Sequence, residues 1–295
     1  MTIRKILFPT KFREYAFNSL ESLFVLKKAG LREIILYYVI PRDDVGFVPF
    51  GGYLKKEEER LREEAKVRFE NWQKSLSEQG IENRVIIEVG DPVPQILSVA
   101  EREKVDLIVV GKKKGTFFEN SFVGTGTLKI VTRSRIPTLA SKYMVEFECD
   151  GECVLRTNRD KFTRPLFPTD FSDRSEKALN LLVSLKNIIE KVYLCHIIET
   201  RDSKGHSEKE WQKIELERKK LLEGYASTLR STGLETKELL GAGTISDEVI
   251  RISRGTDATL IIMGTSRKDR LHELFQGSDS HRVTQLSELP TLLVP

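Results

Sequence analysis

Apolar residues along this 295-residue chain come in short dense runs separated by longer charged stretches, and the same succession occurs twice. ILFP (residues 6–9) opens the first half and LFP (166–168) the second. IILYYVI (34–40) is matched by VYLCHII (192–198). Each run is apolar at successive positions and rich in β-branched and aromatic residues, the pattern of a strand buried on both faces. Long charged segments follow in each half, 54–80 and 207–233, and both predict a helix that ends at glycine. RVIIEVGDPVPQIL (84–97) and TKELLGAGTISDEVI (236–250) each predict a strand, a glycine turn and a helix. VDLIVVG (105–111) pairs with ATLIIMG (258–264), and RIPTLA (135–140) with ELPTLLV (288–294).

The repetition is a tandem duplication. Phe8, Pro9, Thr10 and Phe12 match Phe167, Pro168, Thr169 and Phe171 at a constant offset of 159 residues. Strands alternating with helices imply parallel pairing through helical crossovers. Each half supplies five strands and about four helices, so the expected fold class is α/β, with two tandem doubly wound five-stranded parallel sheets. The expected units are residues 1–142 and 163–295. Between them, residues 143–162 alternate apolar and polar positions around Asp150-Gly151, a hairpin signal. Cys149 and Cys153 flank that turn out of register with each other, and without a nearby His or further Cys they make a poor zinc site. Cys195 lies in an apolar strand and reads as a small hydrophobe.

Composition narrows the classes without changing this picture. Hydrophobic residues at 39% and charged residues at 31% suit a globular protein, and a net charge of +4 is too mild for a nucleic-acid footprint. Three cysteines argue against a disulfide scaffold. No signal-peptide pattern and no apolar run of about 20 residues is present, so neither secretion nor a membrane partner is expected and the default location is cytoplasmic.

In an open parallel sheet, ligands bind beyond the carboxyl ends of the strands where strand order reverses. In the second half that rule selects Pro168, Thr169, Asp170 and Phe171 after the first strand, and Met263, Gly264, Ser266 and Arg267 after the fourth. Its counterparts in the first half are Pro9, Thr10, Val110, Gly111 and Lys113. Thirteen residues beyond Gly264 stands Gly277-Ser278, followed by Asp279, and thirteen beyond Gly111 stands Gly124-Thr125. Glycine permits close backbone approach, and a hydroxyl beside the free N–H groups of a helix start suits a phosphate.

These loops resemble the universal stress protein family in its tandem two-domain form. The resemblance rests on Asp170, on Gly90-Asp91-Pro92, on DLIVVG from Asp106 to Gly111, and on the two Gly-x13-[Ser/Thr] loops. It implies the adenine nucleotide alpha-hydrolase-like fold with strand order 3-2-1-4-5, and pairing of the two units through their last strands as an intramolecular pseudo-dimer. It also implies AMP or ATP as ligand, with or without magnesium, the base lying near Ile197 and, in the first half, Val39. The family pattern is an Asp after the first strand and G-x2-G-x9-G-[ST] after the fourth. Lys11 replaces that Asp in the first half, and Lys114 and Arg267 replace the second glycine.

The function this implies is a nucleotide-responsive stress regulator acting on an unknown protein partner, with no catalytic residue assigned. Slow ATP hydrolysis, or a scaffold with degenerate sites, stays open as an alternative, as does association of two chains. Plainer readings stand beside the site: Asp170 as a helix cap, Lys112–Lys114 as a solvated loop, His196 as a satisfied strand residue, Met263 and Ile197 as core. No P-loop, nucleophile elbow or HExxH motif occurs.

Overall fold

The computed structural model describes residues 2–46, 54–111, 124–149, 152–199, 207–265 and 279–295. The first repeat runs β1 (Lys5–Pro9), α1 (Ala16–Glu21), a 3-10 turn (Phe24–Ala29), β2 (Glu33–Pro41), α2 (Arg42–Val45), α3 (Lys55–Glu78), β3 (Glu82–Gly90), α4 (Pro92–Arg102), β4 (Leu107–Gly111), α5 (Thr125–Arg133) and β5 (Thr138–Ser141). A hairpin of β6 (Met144–Cys149) and β7 (Glu152–Thr157) follows. The second repeat runs β8 (Pro165–Pro168), α6 (Asp173–Ser184), a 3-10 turn (Lys186–Ile188), β9 (Lys191–Glu199), α7 (Glu208–Ser231), β10 (Glu235–Gly243), α8 (Ile245–Arg254), β11 (Leu260–Gly264), α9 (Asp279–Leu286) and β12 (Thr291–Val294).

Each repeat orders its strands 3-2-1-4-5, all parallel, as the resemblance implied. The two halves do not remain separate sheets. β12 pairs antiparallel with β5, Leu292 opposite Leu139, and fuses them into one ten-stranded sheet, β10-β9-β8-β11-β12-β5-β4-β1-β2-β3. The pairing joins equivalent strands of the two repeats, as the pseudo-dimer reading anticipated. The Asn187 side chain on the second 3-10 turn donates to the carbonyl of Lys28 within the first, adding a contact between the repeats.

Alternation along the strands explains the apolar runs. Ile6 and Phe8 of β1 enter one core with Leu20, Phe69 and Leu76, whereas Leu7 between them enters the opposite core with Ile96, Ile108 and Ile130. Val192 and Leu194 divide from Tyr193 and Cys195 in the same way on β9. Two faces each covered by helices make the sheet doubly wound. The long charged helices α3 and α7 need anchoring at their ends, and α7 has it: Ser207 and Glu210 form a capping box. Past their last turns the chain reverses at Gly80 and Gly233, with φ of 64° and 91°, which glycine adopts without strain.

In the hairpin, register sets Cys149 opposite Glu152 and Cys153 opposite Glu148, so the two cysteines are not paired across the strands. After the hairpin the Asn158 amide donates to the Thr259 carbonyl at 2.9 Å, tying the linker to the second repeat. No helix among the described residues is long and apolar enough to cross a membrane.

Candidate functional site

The sharpest local feature is the turn that leaves β8. Thr169 N–H donates to the Cys195 carbonyl at 2.8 Å, continuing the β8–β9 ladder by one bond. Its hydroxyl then accepts from Phe171 N–H at 3.0 Å, and Phe171 takes a left-handed φ of 61°. That reversal exposes Asp170. Its Oδ1 accepts from Ser172 N–H at 3.0 Å and from the Ser172 and Ser175 hydroxyls, each at 2.6 Å. Partial burial opposes the negative charge, but the bonds from Ser172 and Ser175 outweigh it and hold the carboxyl below the usual aspartate range. Asp170 is therefore ionised at neutral pH, and Oδ2 takes part in none of these bonds.

Capping was one of the plain readings of Asp170. The helix cap is instead Ser172, whose side chain accepts from Ser175 N–H. Asp170 sits two residues outside the helix and organises the turn, an Asx-type role.

A cleft of ≈190 Å³ opens at this point, over the carboxyl ends of β8 and β11. It gathers seven of the sequence-selected residues: Pro168, Thr169, Asp170, Ile197, Met263, Gly264 and Asp279. Phe171 is not among its lining. Its ring turns into the core against His196 and Tyr225, with centroids at 4.6 and 5.3 Å, because the left-handed backbone at 171 points the side chain away from the sheet end. Ser266, Arg267, Gly277 and Ser278 lie outside the described residues, as does Lys113 in the first repeat.

Sequence reasoning missed Ser172, Arg174, Ser175, Ile245 and Ser280 as lining residues, and set His196 aside. The D-x-S-x-x-S spacing from Asp170 was the available signal for the two serines, since it returns both hydroxyls to one carboxylate. His196 is buried, with Nδ1 2.8 Å from the Thr169 carbonyl, so Nδ1 carries the proton and donates. Burial lowers its pKa, and it stands as a neutral part of the cleft wall. Ile197, Ile245 and Met263 supply apolar surface, while Asp170 and Asp279 add carboxylates.

Gly264 has a packing cause. A Cβ there would lie 2.8 Å from the backbone carbon and oxygen of Arg174, so α6 can abut the end of β11 only over glycine. At the equivalent Gly111 no described residue comes within 4 Å of such an atom.

In the first repeat, Pro9 ends β1 and Thr10 follows it, with Thr10 N–H on the Tyr37 carbonyl at 2.9 Å. Val110 and Gly111 end β4, and Val39 lies near the end of β2. Gly124 occupies the cap position of α5 and Thr125 begins it. The Thr127 hydroxyl donates to the Gly111 carbonyl at 2.9 Å, which draws the first turn of α5 to the end of β4. These residues share one end of the sheet. Phe12 repeats the Phe171 geometry, with a φ of 52° and its N–H on the Thr10 hydroxyl, and its ring packs on Phe69 and Trp72. Asp106, one of the residues carrying the resemblance, lies at the opposite end, where it accepts from Arg4 and Lys5 N–H and fixes the start of β1.

Among the described residues no three His, Cys, Asp or Glu side chains converge as metal ligands would. A cleft that sets the apolar surface of Ile197, Ile245 and Met263 beside an ionised Asp170 with Oδ2 outside these bonds suits a flat organic group bearing hydroxyl or amino donors.

Comparison with known proteins agrees with this architecture. The model of the universal stress protein family matches residues 2–142 and again 161–295. Universal stress protein MJ0577 of Methanocaldococcus jannaschii is 32% identical over 153 residues, which span 47% of this chain and 94% of that protein. A universal stress protein structure from Archaeoglobus fulgidus superposes with a TM-score of 0.71 at 21% identity, covering 99% of this chain and 96% of its own. A Pseudomonas aeruginosa structure described as a putative universal stress protein gives 0.65 at 14% identity, with coverage of 99% and 93%. At those identities the two structures speak for the fold.

Proposed function

Because this chain belongs to the universal stress protein family, its model matching both repeats, we propose that it is a stress-response regulator that binds an adenine nucleotide, AMP or ATP. The observation that carries the reading is the cleft over β8 and β11 with ionised Asp170 at its rim. Ile197, Ile245 and Met263 would take the base by apolar contact, and the free oxygen of Asp170 would accept from a hydroxyl or amino group. The amides at the start of α9, with the Ser280 hydroxyl, would meet the phosphates, with magnesium accompanying them where ATP is bound. Ligand binding regulates through differential affinity for two states of the protein, read by a protein partner. The units we assign are 1–142 and 163–295 with 143–162 as linker, and the assigned location is the cytoplasm.

Calorimetry of the full chain with AMP, ADP and ATP tests this directly. Saturable binding of at least one is expected, with thermal stabilisation of about 2.7 kcal/mol at a hundredfold excess over Kd. Absence of heat and of thermal shift with all three removes the reading.

A further inference from the structure

We infer that the chain holds one nucleotide, in the second repeat, and that Ser172 and Ser175 are positioning residues that aim Asp170 at it. This rests on the adenine-nucleotide reading above and narrows it to one of the two repeats.

The two repeats are alike where they fold and unlike where they would bind. Both leave their first strand through the same Thr hydroxyl bond and the same left-handed Phe. At the 159-residue offset, however, Asp170, Ser172 and Ser175 become Lys11, Arg13 and Ala16. The acceptor is replaced by a cation, and neither hydroxyl that held it survives. A base or sugar donor approaching Lys11 meets an ammonium, which donates and cannot accept.

The helices that follow diverge accordingly. α6 has twelve residues and a side-chain cap at Ser172, and its first turn lies against Gly264 so closely that no Cβ fits. α1 has six residues and starts on Tyr15 at a φ of 60°, with no side-chain cap. Tyr15 stacks on Tyr143 of the linker, centroids 5.9 Å apart and planes at 23°. Its counterpart Arg174 lines the second-repeat cleft instead. Among the described residues none comes within 4 Å of the Cβ position on Gly111, so α1 does not abut the end of β4 as α6 abuts the end of β11.

The serine clamp gives Asp170 two properties at once. Three hydrogen bonds on Oδ1 fix the rotamer and keep the group charged, and they leave Oδ2 free for the ligand. Removing one clamp hydroxyl frees the carboxylate to turn without removing its charge, so Ser175→Ala weakens binding less than Asp170→Asn does. Ser175→Thr keeps a hydroxyl at that atom and should recover most of the loss.

The test is titration calorimetry of AMP and ATP into the full-length protein and into D170N, S175A, S175T and K11M, each first shown to unfold near the wild-type temperature. Expected are one site per chain, a loss of about tenfold or more in D170N, and a smaller loss in S175A that S175T restores. K11M should be indistinguishable from wild type. Two sites per chain, an affinity unmoved by D170N, or a loss in K11M equal to that in D170N overturns the inference while leaving nucleotide binding in place. A wild-type protein that binds neither nucleotide overturns the underlying reading, and this one with it.

Discussion

Lys161 Nζ donates to Ser141 Oγ at 2.9 Å, across the seam where the linker rejoins the sheet. A second bond goes to Ser22 Oγ at 2.6 Å, and the lysine has no exposed surface. Both partners belong to the first repeat, at the end of β5 and just past α1. Burial pushes the amine down to about 7, against about 10.4 in an unfolded chain. Between those two values the unfolded state binds the extra proton, so this group makes stability rise with pH across that window and level off above it. The slope for one such proton is at most about 1.4 kcal/mol per pH unit. Denaturant melts from pH 6 to 11 on wild type and Lys161→Met should show a difference curve of that sign. A flat difference would mean that the amine stays charged in place.

Gly264→Ala should cost about 1–3 kcal/mol, because its methyl group meets backbone atoms of Arg174 that cannot swing aside. Gly111→Ala, at the equivalent strand end, should stay within about 0.5 kcal/mol of wild type. Paired thermal unfolding of the two variants checks the contrast, and equal costs would contradict it.

Phe171→Gly sets two effects against each other. Glycine relieves the left-handed backbone, a gain of about 1 kcal/mol, yet removes a partly buried ring packed on His196 and Tyr225, a loss of about 2–3 kcal/mol. Packing wins, so the variant should melt below wild type. A variant that melts above it would show the ring to be dispensable.

Ser172→Ala removes the cap of α6 and one donor to Asp170, and should lower stability by about 1 kcal/mol. The depressed aspartate also sets an acid limb. Its stabilisation is full above the unfolded value near 3.9 and disappears as pH falls through the lower folded value. Asp170→Asn should flatten stability in that acid window, as measured by denaturation between pH 5 and 2.

Most of the architecture was legible because burial on both faces leaves an unmistakable mark. Runs such as IILYYVI have no polar residue to spare for solvent, and ILFP and LFP both open such a strand. Joining of the last strands was available through the family resemblance alone, since nothing in RIPTLA or ELPTLLV specifies a partner or a direction. What escaped was set by side-chain direction. Asp170 and Ser172 are both good caps by residue type, and only the path of the turn decides between them. Phe171 sits beside three lining residues, yet one positive φ sends its ring into the core. Lys161 is a surface residue by type, and its burial follows from the route of a linker that no local pattern encodes.

The antiparallel join of β12 to β5 has a consequence for neighbours. A one-repeat relative would leave its fifth-strand border open to a second molecule; here that border is already taken within the chain. The sheet ends at β3 and β10, both studded with charge, Arg84 bridging Glu33 and Glu103 on one and Glu238 bound to Arg230 on the other. Such rims disfavour strand grafting, so neither border of the ribbon invites extension by a further strand.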